Sequence, residues 1–187
     1  MDSRSDSNLL FELRLEPAAL GVLYERHAPA VFRYLARRVG GETAEDLLGE
    51  VFVAALSARK RVFPHASQSA LPWLYGIAGN ILRTHSRRRA RVFPTSGADV
   101  TDWDAVDDRL DASARSAELR WALQTLTLIE RELLLLVAWE GLTVAEAASA
   151  LRLRPATARS RLHRARTRAQ AALDNLPAKE GDHYEAR

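Results

Sequence analysis

The chain contains no cysteine, and of its 27 basic residues only Lys60 and Lys179 are lysine. Without cysteine there is no disulfide scaffold, no thiol nucleophile and no thiolate-ligated zinc or iron–sulfur site. Long apolar runs are also missing. The longest, Leu133 to Trp139, has seven residues, whereas a membrane helix needs about 20. The first residues lack the charged, apolar and small-residue order of a signal peptide. These absences lead us to expect a soluble, cytoplasmic protein. No Gly-rich phosphate loop, HExxH or GxSxG is present, and the five histidines are scattered without metal-ligand spacing. No enzyme activity, metal or cofactor is therefore expected.

Glycine and proline are sparse, at nine and seven residues, while Ala, Leu, Arg and Glu dominate. No stretch alternates apolar and polar residues over the length of a strand, so the expected fold class is all-α. The polar N-terminal 15 residues are expected to fray. From Ala18 to Val39, the residues Leu20, Leu23, Tyr24, Val31, Leu35 and Val39 recur at helical spacing, and Pro29 should kink or split that helix. After Gly40 and Gly41, Thr43 with Asp46 reads as a capping box. The helix it would open buries Ala44, Leu47, Leu48, Val51, Phe52 and Ala55. Ser69 then caps a helix that tolerates Pro72 in its first turn and packs Leu74, Ile77 and Ile81.

Charge divides the chain. Arg83, Arg87, Arg88, Arg89 and Arg91 fall within nine residues. Asp99, Asp102, Asp104, Asp107, Asp108 and Asp111 follow, in an aperiodic segment with Pro94 and Gly97 that reads as a linker. The plan is a helical bundle over residues 16–92, an acidic flexible linker over 93–112, a second helical domain over 113–174 and a flexible tail over 175–187.

The second domain has the more specific pattern. Thr127 with Glu130, and Thr143 with Glu146, are capping boxes, and Gly141 closes the helix between them. A short helix, a tight turn at Arg152 to Arg154, and a longer helix opened by Pro155 make a helix-turn-helix. If Ala158, Leu162, Ala165 and Ala169 face inward, the opposite face presents Ala156, Ser160, His163 and Thr167, flanked by Arg159 and Arg164. Between Thr143 and Ala169 seven arginines stand against one acid, Glu146. Arginines near the start of such a helix reach guanine edges or phosphates. DNA binding follows from this pattern. An Arg-rich composition explains the scarcity of lysine, but not this local imbalance.

Three segments then match a known family. Ala44 to Phe52 (AEDLLGEVF) resembles the acidic helix of sigma-70-family initiation factors. Trp73 to Asn80 (WLYGIAGN), with the arginines after it, resembles their −10 recognition helix. Glu140 to Glu146 (EGLTVAE) and Thr157 to Arg166 (TARSRLHRAR) resemble their −35 helix-turn-helix. With only these two domains in the sequence, the chain resembles the extracytoplasmic-function (ECF) group. It departs from the pattern at Gly49, usually Gln, and at Gly79, often Arg. It also carries Arg152 where the family's turn has glycine, so that turn is expected not to need a positive φ.

The resemblance implies a dissociable promoter-specificity subunit of bacterial RNA polymerase. Its partners would be core polymerase, through the β′ clamp helices and the β flap, and promoter DNA, with an anti-sigma factor as a further candidate. It implies polymerase docking by Glu45, Asp46, Glu50 and Val53. It assigns −10 recognition to Phe63, His65 and Ser67 in a loop and to Trp73, Asn80, Arg83 and Arg87. Reading of the −35 element falls to Thr157, Arg159, Ser160, Arg161, His163 and Arg164. Plainer readings of the same residues exist. Acids near a helix start suit the macrodipole, though Asp46 and Glu50 repel at i, i+4. Trp73 and Phe63 could be core aromatics. The rival function is a stand-alone helix-turn-helix regulator, which leaves Leu20 to Arg91 without a role.

Overall fold

The computed structural model describes residues 3–62, 69–92 and 114–175, and among these every regular element is helical. The order is α1 (Asp6–Leu13), α2 (Ala19–Val39), α3 (Gly41–Ala58), a 3₁₀ turn (Arg59–Arg61), α4 (Leu71–Val92), α5 (Ala114–Gln124), α6 (Leu128–Ala138), α7 (Val144–Ala150) and α8 (Pro155–Asp174). The expected all-α class holds. The acidic linker over 93–112, and the C-terminal tail apart from Asn175, lie outside the described residues.

The N-terminal segment does not fray. Ser5 accepts the Asn8 N–H and caps α1, and Leu9, Leu10 and Leu13 are buried against the bundle. Asp6 fixes this helix in place. Its carboxylate accepts the Ala70 N–H at 2.8 Å, lies 2.6 Å from His27 Nε2, and pairs with Arg26. One carboxylate thereby ties α1 to α2 and to the start of α4. Pro29 does not split α2, which runs through it without a break. Thr43 is not the cap of α3. That helix begins two residues earlier at Gly41, behind Gly40 at φ 78°, because the glycine admits a backbone that a side chain would oppose. Along α3 the residues Ala44, Leu47, Val51, Phe52 and Ala55 are buried, as their spacing requires.

In the C-terminal block both capping boxes are formed. Thr127 and Glu130 bond reciprocally at the start of α6, as do Thr143 and Glu146 at the start of α7. Buried Arg131 donates through Nε to the Leu123 carbonyl at 2.8 Å and holds the end of α5 against α6. The turn between α7 and α8 departs from expectation, for Arg152 adopts φ 55°. The short connection requires a left-handed residue at this point, and no glycine is there to supply it.

The two blocks share one apolar core. Leu133, Leu136, Ala147, Ala148 and Ala150 belong to the same buried cluster as Leu35, Leu74 and Ala78. The contact is close at α4 and α7, where a Cβ added to Gly76 would lie 2.9 Å from the Ala150 carbonyl oxygen. Ion pairs surround it. Tyr34 donates to Glu132 at 2.6 Å, and Arg38 bonds the same carboxylate at 3.0 Å. Arg37 reaches Glu140 at 2.9 Å, and the Tyr75 hydroxyl donates to Glu140 at 3.3 Å.

Two outcomes follow. Replacing Arg152 by glycine relieves a left-handed side chain worth about 1–2 kcal/mol but frees the unfolded chain by about 0.4–1 kcal/mol. Arg152→Gly should therefore stabilise the protein by about 0.5–1 kcal/mol in denaturant titration, and a loss of stability would mean that the arginine side chain has a role of its own. The second concerns acid. Burial holds His27 below its ordinary value although Asp6 pulls it upward, and Asp6 itself sits low because the Ala70 N–H, Arg26 and His27 outweigh its own burial. A depressed histidine contributes stability that is complete above its unfolded value of about 6.5 and is lost as pH falls below it. The Asp6 contribution is lost only lower, below about 4. Melting temperature should fall between about pH 7.5 and about pH 5.5, and His27→Gln should flatten that dependence.

Candidate nucleic-acid interface

Three helical faces carry the expected site residues. On α3, Glu45, Asp46, Gly49, Glu50 and Val53 are all exposed, with Val53 at 67%. They lie at helical spacing opposite the buried stripe, so they form one open acidic face with an apolar member. Since α3 starts at Gly41, Asp46 stands in the second turn and Glu50 in the third. The macrodipole reaches only the first turn, so it does not account for them. Neither has an ion-pair partner among the described residues. A Cβ at Gly49 would meet nothing within 4 Å, leaving this face without bulk at its centre.

On α4, Asn80, Arg83 and Arg87 are exposed and Trp73 is half-buried against the core. Arg83 donates to the Asn80 side-chain carbonyl, which places a cation and an amide together one turn apart. Phe63, His65 and Ser67 lie outside the described residues.

On α8, Ala158, Leu162 and Ala165 are buried, and Ala156, Arg159, Ser160, His163, Arg164 and Thr167 are exposed. Thr157 and Arg161 are half-buried at the edges of that face. Pro155 opens the helix at its first position, where a missing N–H costs nothing. Ser160 and Thr167 return their hydroxyls to the carbonyls one turn back. The result is a polar, basic surface on a rigid helix, of the kind that enters a major groove. Arg168 is different. It bonds Glu130 of α6 at 2.8 Å and 3.1 Å. Burial raises the Glu130 carboxyl, but the Thr127 hydrogen bonds, with Arg168 and Arg164, more than offset it and leave the group below its usual value. Arg168 thus fastens α8 to α6.

Sequence reasoning missed Asp6 and the residues joining the blocks, Tyr34, Arg38, Glu132 and Glu140. Their partners are about 20 to about 100 positions away in the chain, and no local pattern marks such pairings. Among the described residues no group of three or more His, Asp or Glu is placed to hold a metal ion, and no helix is long and apolar enough to cross a membrane.

Two family models match the chain. Sigma-70 region 2 matches residues 23–92, and Sigma-70, region 4 matches residues 116–168. The RNA polymerase sigma factor CarQ of Myxococcus xanthus is 34% identical over 157 residues, covering 82% of this chain and 88% of CarQ. The chain belongs to the ECF group of the sigma-70 family. The ECF sigma factor BldN of Streptomyces coelicolor is 35% identical over 139 residues, 71% of this chain but 52% of BldN, so the chain spans about half the length of that relative. Among solved structures, CnrH in complex with the cytosolic domain of CnrY has a TM-score of 0.61 at 24% identity, covering 91% of this chain and 98% of CnrH. The sigma factor RpoE of Bartonella quintana, in complex with the anti-sigma factor NepR, has a TM-score of 0.59 at 22% identity, covering 83% of this chain and 96% of RpoE. These two similarities concern the fold.

For an ECF sigma factor the open acidic face of α3 has a direct test. Asp46→Ala with Glu50→Ala removes two repelling surface charges and should leave the circular dichroism spectrum unchanged. Pull-down of core RNA polymerase should weaken, because a cationic partner would lose its counter-charge. Undiminished pull-down would remove this face from the docking surface.

Proposed function

We propose that this sigma factor works with two separate reading heads, the region over residues 16–92 and that over 113–174, joined by the acidic segment 93–112. The first docks the β′ clamp helices through Glu45, Asp46, Glu50 and Val53. It reads the −10 element through Trp73, Asn80, Arg83 and Arg87, with Phe63, His65 and Ser67 around an unstacked base. The second meets the β flap and reads the −35 element through Thr157, Arg159, Ser160, Arg161, His163 and Arg164. The chain acts in the cytoplasm as an initiation factor, with no catalysis of its own. An anti-sigma partner is part of this reading, since RpoE of Bartonella quintana, which has a similar fold, was captured with one.

One observation carries the proposal, the open basic face of α8 set opposite its buried Ala158–Leu162–Ala165 stripe. Specificity at a major groove comes from side chains that reach base edges, and phosphate contacts give affinity without sequence. Arg164 stands one turn beyond Ser160 on this face and can make two hydrogen bonds to a guanine edge. The experiment compares holoenzyme binding across single-base variants of the −35 element. Arg164→Ala should cost about 1–3 kcal/mol at the preferred sequence and relax preference at one or two positions. Arg168→Ala should leave base preference alone and lower thermal stability slightly, on the order of 0.5 kcal/mol, by releasing Glu130 at a partly exposed pair. Equal losses on every variant with Arg164→Ala would make α8 a backbone clamp rather than a reader.

A further inference from the structure

Helix α4 presents Trp73, Asn80, Arg83 and Arg87, but what fixes its starting point lies partly on another helix. Its first bond runs from the Leu74 N–H to the Ala70 carbonyl at 3.0 Å. Ala70 therefore stands at the capping position, where its methyl group can accept no hydrogen bond. Two other side chains supply the acceptors. Ser69 Oγ takes the Leu71 N–H at 3.2 Å, and Asp6 Oδ2 takes the Ala70 N–H at 2.8 Å. Ser69 is a chain neighbour, whereas Asp6 is 64 positions away on α1.

We propose that Asp6 is a positioning residue for −10 recognition: through this carboxylate α1 holds the first turn of α4 and sets where Trp73 and Asn80 meet DNA. The proposal rests on the reading of α4 given above. The anchor is itself held from several sides. Oδ2 also lies 2.6 Å from His27 Nε2, and Oδ1 pairs with Arg26. Arg26 Nη2 donates in turn to the Arg4 carbonyl at 3.0 Å, next to the Ser5 cap of α1. Leu9, Leu10 and Leu13 are buried along the rest of that helix. Asp6 and Ala70 are both buried as well, so water does not compete for the bond between them.

Two physical differences make this bond a matter of position and not only of stability. Burial of Leu74 and Ala78 draws α4 onto the core, but apolar packing has no preferred direction. A charge-assisted hydrogen bond fixes both a distance and an angle. The carboxylate also faces the positive end of the helix dipole, which favours the same placement. Any displacement of the first turn is then carried along the helix. Trp73 stands within that turn, and Asn80 lies about 15 Å further along the axis. Recognition tolerates errors of only about 0.5 Å in the groups that make contact. A carboxylate that touches no DNA can therefore decide how sharply α4 discriminates.

Two variants separate geometry from charge. Asp6→Asn keeps an oxygen for the Ala70 N–H and gives up the charge that pairs with Arg26. Asp6→Glu keeps the charge and moves the carboxylate by one methylene group. Holoenzyme is made from the full chain and core RNA polymerase, and transcription is measured over single-base variants of the −10 and −35 elements of one promoter. A merely structural role scales every promoter alike and leaves the ratios between variants unmoved. Asp6→Glu should shrink the ratio between preferred and altered −10 sequences about fivefold, with the −35 ratios unchanged. Asp6→Asn should lower the melting temperature and keep the −10 ratios near wild type. In the free protein, the Ala70 amide should exchange about tenfold faster in Asp6→Glu, relative to core amides of α2, and not in Asp6→Asn. Unmoved −10 ratios in Asp6→Glu, an equal change in the −35 ratios, or −10 ratios that follow the melting temperature across both variants would each overturn the proposal. A wild-type holoenzyme indifferent to the −10 sequence would instead count against the reading of α4, and the exchange of Ala70 in the free protein would still decide whether Asp6 anchors that helix.

Discussion

Arg38 is a fully charged side chain enclosed by protein, and a buried guanidinium without counter-charges would cost several kcal/mol. Its carboxylate partners, Glu132 and Glu140, come from the far side of the acidic segment. Satisfying this one cation therefore fixes how α6 and α7 lie on α2 and α4. The neighbouring groups conform to it. Burial, together with Glu132, raises Tyr34 well above its ordinary value and keeps its hydroxyl a donor. Tyr75 is raised likewise beside Glu140. Leu133, Leu136, Ala147 and Ala148 then complete a core begun by Leu35 and Leu74.

Helix periodicity was legible because burial selects residues at three- and four-residue spacing. That is why the stripes of α3 and α8, the two capping boxes and Pro155 all appear where the pattern places them. Helix α1 was not legible. Its eight residues give barely two turns of periodicity, and its stability comes from Asp6 and three leucines meeting distant partners. The start of α3 was misread because Thr43 and Asp46 have the spacing of a capping box, while the actual cap is a glycine conformation without a side-chain signal. The turn at Arg152 was misread for a related reason. A residue type indicates φ only when the sequence obeys the preference, and here the short connection overrides it. Of the site, the exposed faces of α3 and α8 were readable as what remains opposite each buried stripe. The contact between blocks was not, because a glycine such as Gly76 gives no clue to what it approaches.

The surfaces fall into two sets that do not overlap. The acidic face of α3 and the basic face of α8 carry the residues with charge to offer a partner, and both point to solvent. The residues that join the blocks come instead from α2, α4, α6 and α7. Helix α4 is used on both sides. Gly76 and Tyr75 face the C-terminal block, while Asn80, Arg83 and Arg87 remain exposed. A helix turns through 100° per residue, so residues 76 and 80 point about 40° apart. A contact built on Gly76 must therefore border the surface that Asn80 presents.

The chemistry of the joining contact also sets its strength. The apolar part of the contact supplies strength, since every apolar Å² it buries is worth about 25 cal/mol. A buried ion pair behaves differently, because its attraction is largely offset by the hydration each charge gives up. Exchanging Arg38, Glu132 and Glu140 between each other and water therefore changes the free energy by much less than the bonds themselves suggest. The charged part of the union is specific, because wrong placements leave Arg38 unpaired, and adds little strength, because water is a fair substitute for its partners. Charge thus specifies the joint, and the leucines and alanines of the shared core hold it.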